Sequence, residues 1–305
     1  MSATLINGVL AWVLPNGTFY LAGGDNSNCT VSVCPVELSV YGYRPSLAAS
    51  GALMALYSIC MIIQTVLGFR YKTWWFMSCM IAGCVDEILG YAGRIMYWQN
   101  PWGPSGFILQ IVMITIGPVF FSGAIYVLLS QIVDYISPKH SRFASKWYIW
   151  TFIPFDIVSL VLQAIGGAMS STSHGSSNAG VQIALAGLSI QVITLVVFVV
   201  LVVDYLVRSR QVWTQLQLPT SFKIFCGGLA LATILILIRC AYRIFELSEG
   251  YSQTSTALRN EPLFIGLESV MVILAAYCLI AAHPGPVFKR DGLPPIESSQ
   301  LDQEK

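Results

Sequence analysis

Charged side chains are scarce in this chain. Of its 305 residues, 10% are Asp, Glu, Lys or Arg, whereas 55% are hydrophobic and the mean hydropathy is +0.68. Soluble domains are roughly one-quarter charged, so this composition excludes a soluble globular enzyme and an intrinsically disordered chain. The formal net charge of +1 also excludes a nucleic-acid-binding protein, because such a protein needs a surplus of cations. A membrane protein with several spans remains.

Several groups that carry chemistry are missing as well. The three histidines, His140, His174 and His283, are too few and too scattered for a zinc-dependent membrane hydrolase. No lysine lies in the interior of an apolar stretch, which excludes a retinal Schiff base, and no Walker-type glycine loop is present for ATP hydrolysis. We therefore expect a protein that is not an enzyme, has no cofactor and is not driven by ATP on its own.

Long apolar stretches dominate what is present. A membrane-crossing helix needs about 20 mostly apolar residues, and seven stretches qualify: 46–68, 74–98, 106–131, 147–170, 181–207, 222–245 and 262–283. None alternates with the period of two that a transmembrane barrel requires. The sequence predicts an all-α membrane protein, with a seven-helix bundle over 46–284, an extracellular segment over 1–45 and a disordered cytoplasmic tail over 285–305.

The basic residues between the spans predict the orientation. Cytoplasmic loops carry an excess of Lys and Arg. The N-terminal segment and the even-numbered loops hold only Arg44 and Arg259. The odd-numbered loops, with the span ends that border them, and the C-terminal tail hold eleven basic residues: Arg70, Lys72, Lys139, Arg142, Lys146, Arg208, Arg210, Lys223, Lys289, Arg290 and Lys305. This asymmetry predicts that the N-terminus lies outside and the C-terminus in the cytoplasm.

The N-terminal segment carries marks of a lumenal or extracellular location. Asn16 and Asn28 each begin an Asn-x-Thr tripeptide, the acceptor pattern for N-glycosylation. Cys29 and Cys34 lie in the same segment, where an oxidising compartment would permit a disulfide. The other six cysteines fall within spans and are expected to be small packing residues.

Ionisable residues inside the spans are the most informative feature. Each charge that faces lipid costs about 2.5–3.5 kcal/mol, so these residues are expected to face the bundle interior. Helical spacing aligns most of them in three polar stripes, each on one helix face. The stripes comprise Glu87, Tyr91 and Arg94 on span two; Asp156, Ser159 and Gln163 on span four; and Arg239, Tyr242, Arg243 and Glu246 on span six. Glu268 adds an acid on span seven.

With the predicted orientation, most of these groups lie between the membrane midplane and the outer surface. The pattern predicts a polar cavity or a buried ion-pair network there. The alternative is that the pairs only lock helices together, since buried ion pairs can fix helix register without a ligand.

Prolines and glycine pairs within the spans predict local geometry. Pro118 and Pro154 are expected to kink their helices and to free carbonyl groups near the midplane. Gly166-Gly167 and Gly227-Gly228 are expected to permit close helix approach.

The ordered set of motifs resembles a known family. Its members are the fungal lipid-translocating exporters, also called RTA-like proteins, and the resemblance covers roughly residues 41–288. The matching residues are Glu87 to Arg94 as Glu-Ile-Leu-Gly-Tyr-Ala-Gly-Arg, then Gln110, Pro118, Tyr126, Asp156, Ser159, Gln163, Gly166, Gly167, Arg239, Tyr242, Arg243, Glu246 and His283-Pro284-Gly285. The chain departs from the family at 261–268, where Glu268 stands in place of an aspartate and the preceding stretch is less aromatic.

The resemblance implies transport of a lipid or another amphiphile. Members of the family are associated with export or flipping of sphingoid long-chain bases, resistance to sterol-like toxins, and porphyrin or haem handling. It therefore implies an integral protein of a fungal plasma membrane, or alternatively of a vacuolar or other internal membrane. Haem or a porphyrin is then a candidate ligand, not a cofactor.

Three functions are compatible with these features. The first is a transporter in which an amine-bearing lipid places its cation against Glu87, Asp156 or Glu268. The second is a receptor or sensor of membrane lipid stress that uses the same pocket, and the third, ranked lower, is an intramembrane lipid-modifying enzyme. For the first we expect a substrate site made of Glu87, Tyr91, Arg94, Asp156, Ser159, Gln163, Arg239, Tyr242, Arg243, Glu246 and Glu268.

Overall fold

A computed structural model describes residues 2–6, 9–13, 18–21, 28–136, 145–172, 178–210, 220–248 and 259–289. Seven helices long and apolar enough to cross a membrane are present, as the sequence predicts. They are α1 (Leu47–Tyr71), α2 (Trp74–Gln99), α3 (Pro104–Ile136), α4 (Ser145–Thr172), α5 (Asn178–Arg208), α6 (Thr220–Ser248) and α7. The last of these, α7, is composite: Glu261–Phe264, a π-helical stretch at Ile265–Val270, and Met271–Ala281.

The helices pack mainly against their neighbours in the sequence. The closest pairs are α2 with α3, α4 with α5, α1 with α2, and α6 with α7, while α1 also packs against α7. The central helix is α3, the most enclosed of the seven. Branched and aromatic side chains stay exposed on the outer faces, as expected where lipid is the solvent; examples are Ile62, Val66, Val161, Ile193 and Val200.

Side-chain caps set the starts of α1 and α7. The Ser46 hydroxyl accepts a hydrogen bond from the Ala49 N–H at 3.3 Å, and the Asn260 side chain accepts one from the Leu263 N–H at 3.2 Å. Each cap satisfies a backbone donor that the first helical turn leaves unpaired.

The N-terminal segment contains a small β-sheet, so the all-α prediction is wrong there. Strands β1 (Ser2–Ile6), β2 (Val9–Val13) and β3 (Phe19–Leu21) form an antiparallel sheet in the order β1-β2-β3, with Ser2 opposite Val13 and Trp12 opposite Tyr20. The overlooked signal is the Asn7-Gly8 dipeptide between two runs rich in branched residues, which is typical of a two-residue hairpin.

The segment after this sheet is tied to one end of the bundle, which we call the N-terminal face. Cys29 and Cys34 form a disulfide and cluster with Trp102, in the turn between α2 and α3. Farther along, the Arg44 guanidinium donates to the Trp98 carbonyl oxygen at 2.9 and 3.1 Å. The ends of α2, α3 and α7 are therefore covered by residues 28–46.

The two predicted glycosylation sites differ in what the structure describes. Asn28 is exposed, and its side-chain oxygen accepts a hydrogen bond from the Leu21 N–H at 2.7 Å. Asn16 lies outside the described residues. Glycosylation of both asparagines stays a prediction.

At the opposite end, the bundle extends past the predicted boundary at 284. A π-helical turn covers Gly285–Lys289, and the Phe288 ring packs against those of Tyr135 and Phe225. Gly285 lies against the Tyr71 ring, so a larger residue would not fit there. The tail was predicted to be disordered over 285–305, and its residues from 290 onward lie outside the described residues.

In each of the two predicted glycine pairs, only one glycine lies at a close contact between helices. A Cβ atom on Gly166 would lie 2.6 Å from the Gly180 carbonyl oxygen of α5, and one on Gly228 would lie 2.9 Å from the Cys278 carbonyl oxygen of α7. Gly167 and Gly227 have open space where a Cβ would go. Of these four glycines, only Gly166 and Gly228 lie where two helices approach closely.

We expect Gly166→Ala to destabilise the protein by about 1–3 kcal/mol, because the added methyl group meets the α5 backbone. The adjacent Gly167→Ala is the matched control and should change stability by less than about 1 kcal/mol. Thermal unfolding in detergent can be followed with a thiol-reactive dye that reports exposure of buried Cys60, Cys84 and Cys240. Equal melting temperatures for the two variants would contradict the close α4–α5 packing.

Candidate functional site

The deepest ion pair of the bundle joins α6 to α7. Arg239 donates from Nε and from an Nη atom to Glu268 Oε1, at 3.0 and 2.6 Å, and neither side chain is exposed. The same Nη atom also donates to the Ile114 carbonyl oxygen at 3.0 Å. Pro118 lacks an N–H, so the carbonyl four residues earlier, that of Ile114, has no helical donor. The proline in α3 thus supplies an acceptor for the buried arginine.

A second pair lies one turn along α6. Arg243 donates to Glu246 at 2.5 Å and to the Thr115 hydroxyl oxygen of α3 at 3.0 Å. Tyr242 is also buried and lies near Glu246 and Glu268. The predicted stripe on α6 therefore does face the interior.

A third pair lies nearest the N-terminal face. Arg94 of α2 contacts Glu261 at the start of α7, with 3.4 Å between their nitrogen and oxygen atoms. Its guanidinium carbon also lies 4.1 Å from the centre of the Phe264 ring, a cation–π contact. The Ser46 N–H donates to the same Glu261 oxygen at 2.6 Å. One carboxylate thus holds α1, α2 and α7 together.

A tyrosine of the covering segment completes this third pair. Arg94 donates to the Tyr43 hydroxyl oxygen at 3.3 Å. Burial raises the pKa of Tyr43, although the Arg94 guanidinium acts against the rise. The hydroxyl therefore stays protonated at neutral pH and cannot act as a counter-ion to Arg94. The sequence pattern assigned neither Tyr43 nor Glu261 to the site.

Glu87 lies beside these pairs but belongs to none of them. It is 1% exposed, and its Oε1 atom has no hydrogen-bond partner in the described part of the chain. It packs against α3 at Gly117, where a Cβ atom would come within 2.7 Å of that oxygen. Tyr91 lies one turn further along α2, and its ring stacks on that of Tyr57 in α1 at 5.9 Å.

Charge counting sets Glu87 apart from the other acids in this region. Each of the three intramembrane arginines contacts a different carboxylate: Arg94 with Glu261, Arg239 with Glu268, and Arg243 with Glu246. Glu87 is the fourth acid and forms no salt bridge among the described residues, although Arg239 lies close enough to attract it electrostatically. We call Glu87, Tyr91, Arg94, Arg239, Tyr242, Arg243, Glu246, Glu261 and Glu268 the arginine cluster.

The remaining predicted residues form a separate group on α4. Gln163 donates to the Gln191 side chain of α5 at 2.9 Å and to the Ser159 hydroxyl at 3.3 Å. Asp156 is 3% exposed and lies beside Tyr126 of α3, without a salt bridge in the described part of the chain. Gln191 was not predicted; its signal was an amide in the middle of the apolar α5.

A small cavity connects the two groups. It lies between α3, α4, α5 and α6, and Thr115, Gln163, Gly167 and Arg243 line it together with apolar side chains. Its volume is about 30 Å³, room for a water molecule or two. The polar residues are buried as the sequence predicts, in two groups rather than one, and the cavity between them is too small for a lipid.

Comparison with known proteins places the chain among fungal membrane proteins. A family model described as RTA1 like protein matches residues 80–291. The sphingoid long-chain base transporter RSB1 of Saccharomyces cerevisiae is 29% identical, over 87% of this chain and 79% of the relative.

Two further relatives come from the same yeast. Protein RTM1 is 25% identical over 80% of this chain and 91% of its own length, and protoporphyrin uptake protein 1 is 28% identical over 56% of each chain. No solved structure matches the chain.

The pairing predicts opposite outcomes for two chemically identical substitutions. Glu268→Gln leaves Arg239 buried without its carboxylate and should cost roughly 3–5 kcal/mol. Glu87→Gln removes no salt bridge and should leave stability unchanged or raise it. The measurement is the melting temperature of each purified variant in the same detergent. A Glu87→Gln protein as unstable as Glu268→Gln would show that Glu87 does carry a structural ion pair.

Proposed function

This chain belongs to the RTA1-like protein family, and from that premise we propose that it is a transporter that moves a lipid or another amphiphile across the membrane. We propose a sphingoid long-chain base as the substrate, since a relative that aligns with 87% of this chain is named for such transport. A porphyrin is the second candidate, after the relative named for protoporphyrin uptake.

The observation that carries the proposal is the unpaired Glu87 carboxyl group. Burying a carboxylate without a counter-ion is costly, so a buried acid that lacks a basic partner favours a cationic ligand. A long-chain base has a protonated amine, hydroxyl groups and one alkyl tail. Its amine would bind Glu87, and its hydroxyl groups would bind polar groups of the arginine cluster such as Tyr91 and Tyr242; the Tyr242 oxygen has no partner in the described residues.

Asp156 offers a second carboxyl group of the same kind. It is buried on α4, seven residues before Gln163, and it also lacks a salt bridge within the described ranges. We propose that the amine passes between Glu87 and Asp156 as the helices separate. The cavity that joins the two groups would widen in that step.

The N-terminal face, where the arginine cluster lies, is proposed to be the exoplasmic side. The excess of Lys and Arg in the odd-numbered loops supports this orientation. We propose the plasma membrane as the location, with a vacuolar or other internal membrane as the alternative.

Transport is tested with purified protein in liposomes and a fluorescent long-chain base. Glu87→Gln and Asp156→Asn should each reduce flux about tenfold or more, since a hydrogen bond to a charged group contributes roughly 1.5–3 kcal/mol. Asp86→Asn is the matched control: it removes the neighbouring acid, which lies only partly buried outside the cluster, and should keep wild-type flux.

Other outcomes of this assay separate the alternatives. Unchanged flux in both variants would remove the assigned site. Saturable binding without any flux would favour the sensor function, and chemical conversion of the lipid would favour the enzyme.

The orientation has its own test in intact cells. With the N-terminus outside, Asn28→Gln and Asn16→Gln should each remove one glycan, seen as a mobility shift that an endoglycosidase reproduces in the wild-type protein. A C-terminal tag should stay protected from external protease. Digestion of the tag from outside the cell would reverse the proposed orientation.

A further inference from the structure

The unpaired carboxyl group of Glu87 also bears on the energy source of transport. We propose that Glu87 holds a proton when no substrate is bound and releases it when a cationic head group arrives, so that the protein exchanges a proton for an amphiphilic cation. This inference rests on the proposed transport function and adds the ion that drives it.

The first step is the charge state of the empty site. The pairs Arg94–Glu261, Arg239–Glu268 and Arg243–Glu246 are each neutral. An ionised Glu87 would leave one uncompensated negative charge in the membrane interior, and proteins avoid this state by protonating the group. A bound ammonium group removes that penalty in a second way. A proton and a cationic head group therefore compete for one carboxyl group.

The second step is what faces Glu87 from the surrounding helices. Tyr57 faces it from α1, Arg239 from α6 and Glu268 from α7, while α3 presents Gly117. Its own helix contributes Cys84, Asp86 and Tyr91. Glu87 is the one carboxyl group of the arginine cluster that forms no salt bridge among the described residues, so its proton can be exchanged without breaking one.

The third step is a route for the proton. The hydroxyl groups of Tyr57 and Tyr91 are buried next to Glu87; that of Tyr57 has no hydrogen-bond partner among the described residues, and that of Tyr91 lies beside the Ser269 hydroxyl of α7. Buried polar atoms without a protein partner are typically satisfied by internal water. Arg94, seven residues from Glu87 on α2, lies about 10 Å nearer the N-terminal face.

On α1, Gln64 provides a further buried polar side chain on the opposite side of Glu87 from Arg94. Gln64 lies seven residues beyond Tyr57, toward the opposite face, and is fully buried. Neither polar atom of its side chain has a partner in the described part of the chain. Buried polar side chains that water could hydrate therefore lie on both sides of Glu87: Arg94 toward the N-terminal face and Gln64 toward the opposite face.

The exchange balances in atoms and charge. The O–H bond of the Glu87 carboxyl group breaks, its proton leaves to water, and the carboxylate pairs with the ammonium group, which keeps its own protons. The site is neutral before and after. On the other side of the membrane the carboxylate takes a proton as the cation leaves, so that one proton moves for each cation in the opposite direction.

The test uses an N-trimethylated long-chain base, because a quaternary ammonium group cannot itself carry a proton. In weakly buffered detergent solution, its binding to the wild-type protein should release one proton per bound cation, as a pH-sensitive dye reports. Glu87→Gln should release none, whereas Glu87→Asp, which retains a carboxyl group, and Asp86→Asn should behave like the wild type. Binding to the wild-type protein without proton release would overturn the inference.

In liposomes a gradient of one pH unit should drive tenfold accumulation of the trimethylated base on the acidic side of the membrane, because exchange is one for one. Glu87→Gln should show no accumulation. If the wild-type protein moves the base but the pH gradient has no effect, the proton exchange is wrong and the transport function stands. If the wild-type protein moves no amphiphile of any kind, the proposed function itself fails, and the binding assay still decides whether Glu87 exchanges a proton.

Discussion

The buried contact between Arg239 and Glu268 is the interaction on which the interior of this bundle depends. A guanidinium group with no exposure to solvent needs a carboxylate and further acceptors, and here the second acceptor comes from the Ile114 carbonyl that Pro118 leaves without a helical donor. Three helices, α3, α6 and α7, are thereby held in one register. Because Arg239 forms its salt bridge with Glu268, the neighbouring Glu87 on α2 has none among the described residues, and the proposed transport function rests on that difference.

Much of this arrangement could be predicted from the sequence. The positions of the seven spans follow from hydrophobic length, and the inward faces of α2, α4 and α6 follow from the 3.6-residue period, since Glu87, Tyr91 and Arg94 must share one face of a helix. The penalty for a charge in lipid turns those faces toward the interior. Pro118 also frees a carbonyl group as predicted, because the loss of its N–H is a local property that does not depend on the rest of the fold.

The choice of partners could not be predicted in the same way. Whether Arg239 pairs with Glu87 or Glu268 depends on how α6 and α7 rotate against each other, and the π-helical stretch that sets the rotation of Glu268 has no signal in the local sequence. For the same reason the sequence could not decide between a polar cavity and a buried ion-pair network, and the described residues form the network, with a cavity of about 30 Å³ beside it. Glu261 was visible as the acid that opens the last span, but its contacts with Arg94 and Ser46 join elements that are far apart in the sequence.

The π-helical stretch at Ile265–Val270 has a mechanical consequence. A π-turn accommodates one residue more than an α-turn, and such stretches are common at functional sites. Relaxation of this stretch to regular α geometry would rotate the residues on one side of it by about 100° relative to those on the other, since each residue adds that angle in an α-helix. Glu268 lies inside the stretch, so this twist would carry its carboxylate out of reach of α6 while Glu261 stayed with α2. A change between π and α geometry in the last span would therefore turn Glu268 relative to α6 and break its ion pair with Arg239.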